Sequence, residues 1–385
     1  MAQPIDKPDL PSRFAALADF REGARRRLPH FVFEYLDGGI GRDVGLARNY
    51  TSLDNVRLTP RTVDEGVEPD TSVNVLGYQS ALPFCVAPVG MTGLFHPDAA
   101  AALEKKSADL GIPYCLSFVA SDSTEKIRGV RGRAPWQQFY WPRPEDVQTD
   151  ILARMKALGV EVLMPTLDIP GHQWRERTIR AGVSAQPSPL VLARDLARRP
   201  RWALDVAMKG RPGLPNISPY VKGGVGDAER WLLENCLRPM GPDQIKRLRD
   251  QWDGKLVVKG VMAAEDAEAF AAVGVDGIVV SNHGGRQLDA APGSAELLPP
   301  IAEAVKGKVA ILADGGVADG LDVLKMMRLG ADYVMIGRLA YYACAALGGQ
   351  GANVLDMLAL QVRTVMVQLG VRTFEELMAL RLDVD

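Results

Sequence analysis

A chain of 385 residues that is 47% hydrophobic can bury a large core, and its net charge of −2, from 45 basic and 47 acidic residues, carries no electrostatic footprint for nucleic acid. Its four cysteines, Cys85, Cys115, Cys236 and Cys344, are widely separated with no CxxC pair, which excludes a disulfide framework as an expectation and fits a reducing, cytoplasmic setting. No stretch approaches the roughly 20 apolar residues of a membrane span, and the opening MAQPIDKPDLPSRF lacks the apolar centre of a secretory leader, so any membrane contact is expected to be peripheral, at the inner face.

In chain order, residues 12–30 predict a polar helix with Arg25, Arg26 and Arg27 near its end. FVFEYLDGG follows as an apolar segment stopped by Gly38 and Gly39, and residues 1–60 together read as an N-terminal helical cap. Short β-rich runs then alternate with Ala-, Leu- and charge-rich stretches, the pattern of βαβ units on a parallel sheet. Eight strands are predicted, at 82–89, 113–117, 135–141, 162–168, 255–260, 277–282, 309–316 and 333–338, with crossover helices at 98–110, 145–157, 263–272, 295–306 and 320–329. Eight such units make an α/β fold of the (β/α)8 TIM-barrel type, and one domain can use the whole of 1–385. The spacing breaks once. Residues 169–254, rich in Pro, Gly and Arg and without sustained periodicity, read as a loop or lid insertion after the fourth strand. Within it Trp202, Leu204, Val206 and Met208 alternate with other residues, which fits a short packed segment or a lid or membrane-touching surface.

The C-terminal rim of such a barrel builds its active site, so polar residues at strand ends carry the functional information. In order, the eight ends present Pro88, Val89 and Gly90; Ser117; Gln138 and Tyr140; Thr166 and Asp168; Lys259; Ser281, Asn282 and His283; Asp314, Gly315 and Gly316; and Gly337 and Arg338. The glycines and the arginine after the last two strands lie where barrels commonly bind phosphate. His283, within SNHGGRQLD, is the best placed acid/base group, since an imidazole titrates near neutrality. Asp168 can orient it, and Arg286 with Arg175 can grip a carboxylate in two-pronged fashion. Taken singly, each also reads as ordinary structure: a satisfied core histidine, a turn glycine, a charged helix face. His30, His96, His172 and His283 lack ligand spacing, so no metal is expected.

SNHGGRQLD after a strand, VKGV before it, DGG and IGR after it and APVG at the front together resemble the FMN-dependent α-hydroxy acid dehydrogenases and oxidases, from about residue 14 to 380. RWALDVAMKGRPGLPNIS and ILADGGVADGLDVLKMMRLGAD look closest to the L-lactate dehydrogenase branch. The resemblance implies FMN as cofactor and oxidation of an L-2-hydroxy acid to the 2-oxo acid. His283 would be the base, with Asp168 beside it; Arg175, Arg286, Tyr35 and Tyr140 would hold the substrate. FMN would be held by Pro88, Val89, Gly90, Ser117, Gln138, Thr166, Lys259, Ser281, Asp314, Gly316, Gly337 and Arg338. A homotetramer is implied as well. Gly90 stands where membrane-linked dehydrogenases of the family have glycine and many oxidases alanine, which points to a quinone or another acceptor, with an O2-using oxidase as the alternative. Other rivals are a flavin- or phosphate-binding barrel without catalysis and an FMN-dependent isomerase of the same superfamily. Three positions depart from the family pattern: Ala318 replaces a phosphate-binding arginine, Val119 a tryptophan, and His172 an apolar residue.

Overall fold

The computed structural model describes residues 8–62, 68–171, 173–182, 189–210 and 212–384. Its centre is an eight-stranded parallel sheet: β1 (Phe84–Val86), β2 (Cys115–Leu116), β3 (Trp136–Phe139), β4 (Val162–Pro165), β5 (Lys255–Val261), β6 (Gly277–Val280), β7 (Ala310–Ala313) and β8 (Tyr333–Ile336). Each strand pairs with the next in sequence from β2 to β8, β8 pairs with β1, and the Val86–Tyr114 bridge closes the ring. The predicted (β/α)8 barrel is thus the observed fold.

Period 2 along each strand sorts the side chains into two layers. Cys85, Cys115, Val162, Met164, Val257, Val279, Leu312, Tyr333 and Met335 fill the barrel, while Phe84, Val86, Leu116, Leu163, Leu256, Val258, Ile278, Val280 and Ile336 face the helices. Both faces are buried, which is why the strands read as unbroken apolar runs. The helices carry their own terminus signals. Glu145 and Asp146 open Glu145–Leu158 at the positive end of its dipole, and the Asp319 carboxylate caps Gly320–Arg328 by accepting from Asp322 N (3.0 Å).

Three helices precede the barrel: Leu17–Arg27 packs on the helix Arg338–Leu347, while His30–Asp37 and Val44–Asp54 reach the strand ends at the mouth. A hairpin, Val73–Val75 with Tyr78–Ser80, packs Val75 and Tyr78 against Trp136 and Tyr333 at the other end. The segment after β4 is more regular than its sequence indicates: it folds into helices Glu176–Arg180, Pro189–Arg198, Pro200–Lys209, Val225–Asn235 and Pro242–Arg249. Prolines begin three of them, where their fixed φ and missing N–H cost nothing. Pro200–Lys209 is a packed helix, in which Trp202 and Val206 fall on one face and Leu204 and Met208 on the other. Trp202 is 5% exposed, donates Nε1–H to Leu94 O (2.7 Å) and meets Phe31 edge to face, whereas Leu204 and Met208 stay exposed. Among the described residues no helix is long and apolar enough to cross a membrane.

Candidate active site

The residues at the strand ends converge. His283 lies just beyond β6 with φ of 57°, a left-handed conformation uncommon for a residue with a side chain, and its N–H donates to Ser281 Oγ (3.1 Å). The imidazole Nδ1 lies 2.9 Å from Asp168 Oδ1, and the other Asp168 oxygen is buried without a partner within the described chain. The imidazole side chain keeps 22% of its exposure and the carboxylate 6%, so the pair opens to the mouth on the His283 side. With Nδ1 turned to Asp168, Nε2 is the nitrogen left to meet a ligand.

Burial pushes His283 below the ordinary histidine range; Asp168 pulls against it, and the charges of Lys259 and Arg175 add to the downward push. Burial alone would raise the Asp168 carboxyl, but His283, Lys259 and Arg175 outweigh it and hold it below its ordinary value. The pair therefore rests as neutral imidazole and carboxylate near neutral pH.

Local backbone makes this approach possible. Pairing between β5 and β6 slips at Lys259 and Val261, and Gly260, at φ of 96°, bulges there. A Cβ on Gly260 would stand 2.7 Å from Asp168 Cβ, so only glycine lets Asp168 pack against the end of β5. Sequence reasoning missed Gly260, although VKGV contains it; a glycine inside a strand pattern was the available signal. Asn49 was missed as well. It exchanges side-chain hydrogen bonds with Asn282 (2.9 and 2.8 Å) and backs onto Gly316, tying the cap helix to the ends of β6 and β7.

Lys259 is 4% exposed and donates to Ser281 Oγ and Asp314 Oδ2, both at 2.6 Å; Asp314 Oδ1 is buried and unpartnered within the described chain. Burial would lower the lysine, yet Asp314 and then Asp168 keep it above its ordinary value and charged. Across β2 to β4, Ser117 Oγ donates to Gln138 Oε1 (2.9 Å) and Gln138 Nε2 to Thr166 Oγ1 (3.0 Å), a buried polar row next to Lys259, whose strand bridges to Thr166. Pro88, Val89 and Gly90 follow β1, half-buried; Gly90 abuts Val119 and the Tyr35 phenol.

Arg286 donates from Nη1 to Tyr35 O (2.8 Å) and Gly38 O (2.7 Å), with its guanidinium over the Tyr35 ring. Arg175 donates from Nε to Arg286 O (3.2 Å) and lies within electrostatic reach of Tyr35, Tyr140 and Asp168. Burial pushes the Tyr140 phenol up, so it stays protonated. Arg338 spends three N–H groups on Gly284 O, Leu36 O and Gly38 O, which leaves two of its five for a ligand. Gly337 stands open beside it: among the described residues, only Ala87 Cβ, at 4.0 Å, lies near the place of its missing side chain. Ala318 donates its N–H to Asp322 Oδ2 (2.9 Å). His172 lies outside the described residues, and among the described residues no cluster of His, Cys, Asp and Glu could hold a metal ion.

Known proteins are similar to this chain over nearly its whole length. A family model described as FMN-dependent dehydrogenase matches residues 24–383. The L-lactate dehydrogenase of Caulobacter vibrioides is 40% identical over 365 residues, 93% of this chain and 94% of that one. The L-lactate dehydrogenase of Haemophilus influenzae is 37% identical over 367 residues, 94% and 96% respectively. A crystal structure of mandelate oxidase matches with a TM-score of 0.82 at 34% identity, covering 96% of this chain and 99% of that one. With that match spanning both cap and barrel, the chain belongs to the FMN-dependent dehydrogenase family and is an oxidoreductase whose cofactor is FMN.

Proposed function

We propose that this chain oxidises small L-2-hydroxy acids of the lactate or mandelate kind to 2-oxo acids, with His283 as base, and passes the electrons to a quinone or another acceptor. The observation that carries the reading is the His283–Asp168 pair in a mouth that also holds Arg175 and Arg286. The names of the relatives, L-lactate dehydrogenase and mandelate oxidase, support the substrate class.

The side chains present fit FMN. Lys259 is a buried, charged ammonium, and Asp314 Oδ1 is a buried acceptor without a partner among the described residues, suited to a ribityl hydroxyl. In this reading Pro88, Val89 and Gly90 lie against the ring, and Ser117, Gln138, Thr166 and Lys259 meet its polar edge. Ser281 and Asp314 take the ribityl chain, and Gly316, Gly337 and Arg338 the phosphate. Bound FMN supplies the two-electron acceptor. Arg175 and Arg286 hold the substrate carboxylate, and Tyr35 and Tyr140 steady it with phenol hydrogen bonds. His283 Nε2 takes the proton the substrate gives up, while Asp168 fixes the tautomer through Nδ1 and stabilises the imidazolium that forms. Gly90, with no side chain beside Val119 and Tyr35, supports an acceptor other than oxygen. The four cysteines, all buried and unpaired, support a reducing cytoplasm, with any membrane contact peripheral.

The test is anaerobic addition of L-lactate and of mandelate to the purified yellow protein. Bleaching of the flavin absorbance supports the reading, and colour that persists with every acid offered replaces it with a non-catalytic flavin-binding barrel. Rapid recolouring in air, rather than with a quinone, selects the oxidase alternative.

A further inference from the structure

Behind the mouth, three consecutive residues tie down the segment after β4, the first to the loop after β6 and the other two to the N-terminal cap. Arg175 donates to Arg286 O; Glu176 Oε2 accepts from Gly41 N (2.8 Å); and Arg177 spreads one guanidinium over three carboxylates, at Glu34 Oε2 (2.6 Å), Asp37 Oδ2 (2.6 Å) and Asp43 Oδ2 (2.8 Å). Asp37 is the hub. It is 2% exposed and also accepts from Arg21 Nε (2.5 Å) and Nη2 (2.8 Å) and from the Tyr342 hydroxyl (2.6 Å).

Asp37 ends the helix His30–Asp37, and the carbonyls around that end do the aiming. Tyr35 O and Gly38 O accept from Arg286, and Leu36 O and Gly38 O from Arg338. These carbonyls are the negative pole of the helix, a natural seat for guanidinium groups. Arg177 thus grips both objects that must keep register: the helix end that aims Arg286, and the backbone two residues after Arg175.

We propose that Arg177 is a positioning residue for the substrate clamp, holding the Arg175 and Arg286 guanidinia at the spacing one carboxylate requires without touching the substrate. The proposal rests on the function assigned above. Lysine cannot replace it, because a single ammonium does not span three carboxylates disposed around a planar fork.

The experiment uses the FMN-loaded enzyme and the variants Arg177→Lys and Asp43→Asn. The second removes one of the three charges and turns an amide N–H₂ towards Arg177, while Oδ1 can still accept from Gly39 N. Steady-state KM and kcat are measured with L-lactate or mandelate, whichever bleaches the wild type. Affinity for 2-hydroxyisobutyrate, which has the carboxylate and hydroxyl but no α-hydrogen to lose, is read from the flavin spectrum. KM and the 2-hydroxyisobutyrate Kd are expected to rise roughly tenfold or more in Arg177→Lys, in the range that a clamp misplaced by about 1 Å commands. They should rise less in Asp43→Asn, and in both the flavin content and the acid limb of the pH profile should stay in place. Affinity unchanged in either folded variant, or kcat lost with KM and Kd unchanged, overturns the proposal; should Arg177→Lys not fold, Asp43→Asn alone decides. If the wild type itself binds neither acid, the functional reading fails instead.

Discussion

Replacing Lys259 with methionine isolates the most deeply buried charge pair of the mouth. The ammonium has two partners, Asp314 Oδ2 and Ser281 Oγ, each 2.6 Å away, and the side chains of Lys259 and Asp314 are 5% and 10% exposed. Methionine keeps the unbranched shape but leaves Asp314 with both oxygens unpaired, since Oδ1 has no partner within the described chain. Removing one member of a buried pair costs about 3–5 kcal/mol, most of it the desolvation of the charge left behind. The loss should appear in urea unfolding of the FMN-free protein at pH 7, followed by the fluorescence of its six tryptophans. Asp314→Asn should lose a similar amount, and the double variant should lose less than the sum of the two by at least about 2 kcal/mol, because the second change removes the orphaned charge. The sign of the pH dependence follows from Lys259 being held above its ordinary value: the stability is fully present below the lysine range and is lost only as pH rises through the folded value, so pH 7 reads the whole effect. Single losses that add within about 0.5 kcal/mol would refute the coupling.

His283→Asn should lower kcat/KM by about 10²- to 10⁴-fold while the flavin stays bound. Because the folded imidazole lies below its ordinary range, activity should fall on acidification only below about pH 6.5; Asp168→Asn, by removing the anion that favours the imidazolium, should move that limb lower still, and a shift to higher pH contradicts the assignment. In Gly90→Ala the new Cβ would lie 2.7 Å from Val119 Cγ2 and 3.1 Å from the Tyr35 hydroxyl, so thermal stability should drop by the equivalent of about 1–3 kcal/mol and recover in Gly90→Ala/Val119→Ala. Glu104, 2% exposed and 3.6 Å from Arg131, has its carboxyl pushed up to about 7 by burial. Its contribution to stability is thus complete below the unfolded carboxyl pKa and lost as pH rises through about 7, so Glu104→Gln should be neutral at pH 4 and stabilising by about 1–3 kcal/mol at pH 8 in chemical denaturation.

The barrel was legible because of how its strands are buried. Each of the eight predicted runs contains or overlaps its observed strand, since parallel strands covered on both faces leave unbroken apolar text; the crossover helix expected at 98–110 is observed as Ala99–Asp109 and that at 320–329 as Gly320–Arg328. The segment after β4 was illegible for the converse reason. Its main helices are as long as those of the barrel and amphipathic, but no strand stands between them, so the βαβ alternation that frames the other helices is missing, and contacts such as Trp202 on Leu94 O form only in the folded chain. At the mouth, His283, Asp168 and Lys259 could be found because strand ends are where such barrels place chemistry. Arg177, Asp37 and Asn49 could not. Apart from Arg21 on Asp37, the partners that place them lie more than 130 residues away in sequence, as with Arg177 and Asp43 or Asn49 and Asn282, and each reads locally as an ordinary polar helix residue.

The charges at the mouth bind the proposed acid and the proposed base into one device. Lys259, Arg175, Arg286 and Arg338 face Asp168 and Asp314, an excess of two positive charges in a chain whose net charge is −2. In the proposed function that local excess draws an anionic substrate inward, and its guanidinia offer the carboxylate a two-pronged seat. Burial lowers the histidine most, and two of these cations, Lys259 and Arg175, act against the imidazolium as well. Burial and these neighbouring charges together keep His283 neutral and able to accept a proton. When a carboxylate settles on Arg175 and Arg286, part of that positive field is cancelled, and the imidazolium formed by proton uptake becomes less costly. Substrate binding and proton affinity thus favour one another, as linkage requires of two sites that share a field. Asp168 covers the remainder: buried, held ionised and bonded to Nδ1, it supplies the counter-charge at the nitrogen facing away from the substrate. A base placed in this mouth without that carboxylate would be kept neutral by the clamp and then left without compensation for the charge its own reaction creates.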